Sequence, residues 1–129
     1  MIDKQKLKEE VREELEALNE LEDKTKDAFE ELLEKRIKKA MLERRAGVRV
    51  ESVKGLYAEA LLIVNPMPSN YGIMDASAYR KKADAKPKDF YEKLLDNLLS
   101  TFKYSTQPAS LRTIGYVYRE DLELIINIE

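Results

Sequence analysis

The chain has 129 residues, of which 23 are basic and 25 acidic, giving a net charge of −2. That length suits one domain with a real core, and that balance gives no global pull toward nucleic acid or an anionic membrane. Cysteine and histidine are both absent, which excludes disulfides, zinc knuckles, thiol nucleophiles and every Ser-His arrangement.

The first stretch organises the rest. Between Asp3 and Ala46 there is no glycine and no proline, and Glu, Lys, Leu, Arg and Ala dominate, all strong helix formers. Leu7, Val11, Leu15, Leu18, Leu21, Phe29, Leu32, Leu33, Ile37, Ala40 and Met41 recur every three or four residues, which marks one helical face. Asp3 is placed to cap the helix, and Gly47 sits where a left-handed C-cap is expected. A strict heptad through Leu18, Leu21, Thr25, Ala28 and Leu32 would put Lys35 and Lys39 on the seam. The stripe therefore follows a straight helix rather than a sustained supercoil. Unbroken, the segment would run roughly 60 Å, against a radius of gyration of about 14 Å for a domain of this size. It must overhang its body or fold back as a hairpin, with Asn19 to Thr25 the weakest part.

Charge is uneven along this segment. Residues 1–34 carry thirteen acidic and six basic side chains, and 35–49 carry one acidic and seven basic. Dipole complementation and solvated faces explain most of this, with Glu31–Lys35 and Glu34–Lys38 spaced as helical ion pairs. The sharper reading is a polyanion patch.

After Gly47 the elements shorten. Val48, Val50 and Val53 alternate with polar residues as a short strand. Leu56 to Val64 suits a buried strand or a short helix, and its Ile-Val end before Asn65-Pro66 favours strand. Asn65 to Gly72 reads as a loop, with Met67 and Tyr71 as its contact-capable side chains. Ile73 to Ala85 has modest helical character, with Asp75 or Ser77 as caps. Pro87 opens a clearer amphipathic helix of about fifteen residues carrying Phe90, Leu94, Leu95, Leu98, Leu99 and Phe102. Ser105 to Ser110 reads as a polar link. Arg112–Tyr118 and Leu122–Ile128 then form a terminal hairpin turning around Arg119-Glu120-Asp121. The expected fold is α+β: a long N-terminal helix or helical hairpin over residues 1–46, packed with a small antiparallel sheet and one further amphipathic helix in a body of 47–129.

Chemistry is hard to find. Asp121, Glu123 and Glu129 do not converge from separate elements as two-metal sites require. The four glycines are scattered, so there is no phosphate loop. Ser77, Ser100 and Ser110 have no base to activate them. No enzyme, cofactor, metal or small-molecule substrate is expected. With a charged N-terminal stretch and no long apolar run, neither a signal peptide nor a membrane span is expected, and the default address is cytoplasmic.

What remains is association. The helix offers more apolar face than a body this small needs, and Leu7, Val11, Leu15, Leu18 and Leu21 form the candidate face for a protein partner or a second copy, with a homo-oligomer expected. Assembly or adaptor components of larger machines, viral or phage particles and replication complexes among them, fit this description. The alternative is a nucleic-acid-associated protein. It would use Arg44, Arg45 and Arg49 at the helix end and Arg80, Lys81, Lys82, Lys86 and Lys88, with Tyr79 and Tyr91 as stacking rings.

Overall fold

The computed structural model describes the backbone of residues 1–66, 72–113 and 116–129, and the side chains of 1–66, 78–109 and 121–129. Four helices and a three-stranded antiparallel sheet make an α+β fold. Helix α1 (Lys4–Leu42) leads into strand β1 (Gly47–Val50), helices α2 (Val53–Val64), α3 (Gly72–Asp84) and α4 (Lys88–Leu98), and strands β2 (Lys103–Thr113) and β3 (Tyr116–Asn127).

Helix α1 is one continuous rod of 39 residues. Asp3 caps it, its carboxylate accepting from the amides of Gln5 at 2.9 Å and Lys6 at 3.4 Å. No break occurs at Asn19–Thr25. Thr25 is fully buried there, and its hydroxyl donates to the Leu21 carbonyl at 2.7 Å. A poor helix interior is thus satisfied by the helix's own backbone.

The C-terminus departs from expectation. The left-handed residue is Arg44 (φ 57°) and not Gly47. The Arg45 amide donates to the Ala40 carbonyl and the Arg44 amide to that of Met41, the paired bonds of a Schellman ending. Gly47 is needed for a different reason: a Cβ there would lie 2.8 Å from the Ile126 carbonyl oxygen of the neighbouring strand. Arginine in the left-handed region is disfavoured, so Arg44→Gly should stabilise the protein by about 0.5–1 kcal/mol in urea unfolding.

Strand β3 is central. It pairs antiparallel with β1 on one side (Val48 opposite Ile126) and with β2 on the other (Tyr104 opposite Ile126). Val48, Val50, Leu124 and Ile126 point into the core, while Ile125 points out, the alternation expected of a half-covered sheet. Four expected boundaries move. Val53, expected on the strand with Val48 and Val50, instead opens α2, because Ser52 caps a helix there. The segment Ser105–Ser110 is strand, not link, because β2 is an edge strand where polar residues and Pro108 are tolerated. Arg119, Glu120 and Asp121 are not a turn; they lie within β3 opposite Leu111, Ser110 and Ala109. Helix α4 is shorter than the fifteen residues expected, at 11.

The largest difference is Leu56–Val64, which is helical rather than a strand. Ser52 caps α2 by accepting from the Gly55 amide at 2.8 Å, a local signal that a run of apolar residues cannot show. Helix α2 packs against α1, α3 and β3, burying Val53, Leu56, Tyr57, Ala60 and Leu61 and leaving Leu62 and Ile63 exposed. The loop residues 67–71, including Met67 and Tyr71, and the side chains of Asp75 and Ser77 lie outside the described residues.

The core joins both halves of the chain. Phe29, Leu33, Ile37 and Ala40 of α1 meet Val53, Leu56, Tyr57 and Ala60 of α2, Tyr91, Leu94 and Leu95 of α4, and the inner face of the sheet. At its centre Tyr57 meets Tyr91 and Phe90 edge-on, with centroids 5.6 and 5.4 Å apart. Burial pushes the Tyr57 phenol up to about 12, with the charge of Glu22 adding to it. Burial raises that of Tyr91 as well.

Candidate functional site

Only the C-terminal half of α1 meets the body. Residues 1–20 are exposed throughout, and contact begins at the half-buried Leu21 and Glu22. A collar closes the body at that point. The Lys86 ammonium pairs with Glu22 at 3.0 Å and lies 5.0 Å from the Phe90 ring centre, and the Lys26 ammonium lies 5.4 Å from the same ring centre. The hydrogen bond from Lys86 holds the Glu22 carboxyl below its ordinary range.

The apolar stripe does not stop at the collar. Leu7 and Thr25, Val11 and Phe29, and Leu15 and Leu33 are each eighteen residues apart, about five turns, so the members of each pair share one direction around the axis. Thr25, Phe29 and Leu33 are at most 2% exposed, whereas Leu7, Val11, Leu15 and Leu18 are 47–60% exposed. The face that builds the core therefore continues past the collar as exposed apolar side chains. Four of the five residues expected to meet a partner (Leu7, Val11, Leu15 and Leu18) lie on this overhang, and the fifth, Leu21, sits at the collar.

The basic residues are not gathered in the same way. Arg45 pairs with Glu43 at 2.8 Å, Arg49 with Glu123 at 3.0 Å, Lys86 with Glu22 and Lys88 with Glu92 at 3.7 Å. Hydrogen bonding with Arg49 lowers the Glu123 carboxyl and raises the guanidinium. Arg44, Lys81 and Lys82 form no ion pair among the described residues. Tyr79 and Tyr91 are buried, which removes them as stacking rings.

Arg80 is turned inward, into a cluster that sequence reasoning missed. Its guanidinium bonds Asp121 at 2.7 Å, Asp84 at 3.3 Å and the Ser52 hydroxyl oxygen at 3.2 Å. The Asp121 carboxylate, fully buried, also accepts from the amides of Lys54 at 3.1 Å and Leu122 at 2.7 Å and from the Ser52 hydroxyl. Ser52 and Asp121 thus cap adjacent amides at the start of α2, one locally and one from β3 across the sequence. The alternation that puts Glu123 outside would put Asp121 outside too, so no pattern in β3 announces its burial.

A cavity of about 470 Å³ adjoins this cluster, lined by Lys54, Lys86, Lys88, Asp84, Tyr91 and Asp121 among others. Its charges are matched internally: Lys54 lies 4.0 Å from Asp84, and Lys86 and Lys88 have the partners given above. Ser52 donates to Asp121 while accepting from Gly55 and Arg80, which is the bonding of a cap and not of a nucleophile. No group of three metal-ligating side chains occurs among the described residues. Among the same residues no helix is long and apolar enough to cross a membrane. Comparison of the chain with protein-family models, curated proteins and solved structures finds no match.

Proposed function

We propose that this protein is a non-enzymatic interaction or assembly module whose α1 overhang, residues 4–20, seats a protein partner. The observation that carries this reading is the continuation of the core stripe beyond the body as Leu7, Val11, Leu15 and Leu18. An isolated helix of this length is marginal in water, and an apolar stripe on it has no use to the body. Each of these side chains gains about 1.5–3 kcal/mol on full burial. Roughly half of that is still available at their exposure, so four supply on the order of 3–6 kcal/mol. Binding must also offset lost translational and rotational freedom, at about 4–15 kcal/mol. The stripe therefore needs a partner with an apolar face of its own.

A nucleic-acid role is the weaker reading, because five of its eight expected residues already hold an acidic partner. Photo-cross-linking groups at Leu7 and Leu18 of the tagged chain, expressed in its native cells, test the proposal. A discrete cross-linked protein is expected, and Val11→Glu with Leu15→Glu should abolish it while leaving the unfolding transition unchanged. Cross-links that survive those substitutions, or none at all, would reject it.

A further inference from the structure

We infer that the overhang takes a second copy of this chain, laid antiparallel along residues 4–22; this rests on the interaction reading above and names its partner. Charge sets the direction. Residues 4–12 carry Lys4, Lys6, Lys8 and Arg12 against Glu9 and Glu10, whereas residues 13–23 carry Glu13, Glu14, Glu16, Glu20, Glu22 and Asp23 with no base at all. A parallel copy in register lays the acidic half on the acidic half. An antiparallel copy lays it on the basic half, where unlike charges attract.

The seam gives the register. When facing residues have numbers that add to about 25, Leu7 meets Leu18 of the second copy, Val11 lies against Glu14, and Lys4 against Leu21. One residue along, Lys4 comes beside Glu22 and Arg12 beside Glu14. The dyad then falls between Arg12 and Glu13, Leu7 and Leu18 meet once on each side of it, and Val11 and Leu15 lie against the methylene stems of Glu14 and Glu10. In a parallel pair Glu14 would face its own counterpart on the seam, as would Lys4, an arrangement that like charges oppose.

Length agrees with this register. Seventeen residues, 4–20, extend past the collar, about 26 Å of helix. The Asp3-capped end of one helix then arrives beside Leu21 and Glu22 of the other, where that copy's body begins. Two overhangs cover each other along their length and leave the two bodies at opposite ends. The pair is confined to about five turns, so a stripe too irregular for a long coiled coil is regular enough for this contact.

The chain has no cysteine, so a single substituted cysteine carries one spin label in each copy of the full-length protein. Sedimentation should show a monomer–dimer equilibrium that weakens with salt, and Lys4→Glu, Lys8→Glu and Arg12→Glu together should weaken it at least tenfold. Labels at Gln5→Cys should lie farther apart than labels at Glu13→Cys by roughly 20 Å, since position 5 is far from the dyad and position 13 is on it. Equal distances at the two positions mean parallel copies and overturn the arrangement. A monomer at every accessible concentration whose Leu7 cross-links to a foreign protein overturns the second copy while the interaction reading stands. A monomer with no cross-link overturns both.

Discussion

Asp121→Ala should cost about 3–5 kcal/mol of folding stability, the largest loss expected from a single polar side chain in this molecule. The carboxylate takes a hydrogen bond from each of four groups: the Arg80 guanidinium, the Lys54 and Leu122 amides and the Ser52 hydroxyl. Removing it leaves the α2 N-terminus with one capping oxygen instead of two and Arg80 with only Asp84 as acidic partner. Arg80→Ala should cost less, about 1–3 kcal/mol, because Asp121 keeps its other three donors. Urea denaturation of the two single variants and the double variant forms a cycle that isolates the pair. Additive losses would show that Asp121 acts only as a cap and that its pairing with Arg80 adds nothing.

Phe29→Ala should also cost about 3–5 kcal/mol, whereas Val11→Ala should leave the isolated chain within about 0.5 kcal/mol of the parent. The two residues share a face of one helix, five turns apart, and differ in what lies over them. Phe29 is fully buried, with its ring 6.1 Å from that of Tyr57, and Val11 is 52% exposed. Denaturation at high dilution measures both on the isolated chain. A large loss from Val11→Ala under those conditions would mean that the overhang packs on its own body in solution, and the association argument would fall with it.

How much of this could be read from the residues alone depends on whether the signal was local. Helix α1 and its Asp3 cap follow from spacing over adjacent turns and residues, and both are present. The length of the helix leaves an overhang and a folded-back hairpin both open, and the unbroken α1 with Leu7, Val11, Leu15 and Leu18 exposed is the first of these. Leu56–Val64 reads as strand because apolar residues stand on its exposed side too, at Leu62 and Ile63, and mask the periodicity that separates helix from strand. Its deciding features were the Ser52 cap and the reinforcement from Asp121, and the second comes from a residue nearly seventy positions away. Arg80 was read as surface charge for the same reason. Its neighbours in sequence, Lys81 and Lys82, are basic, and its acidic partner Asp121 belongs to a different element.

The two outer strands of the sheet carry a consequence for how copies of this chain can accumulate. Strand β1 offers a stranger only four residues, and β2, though 11 residues long, has Pro108 midway, which brings no amide hydrogen to a new neighbour. Lateral addition of foreign strands, the route by which exposed sheets grow into fibrils, is thereby blunted at both margins.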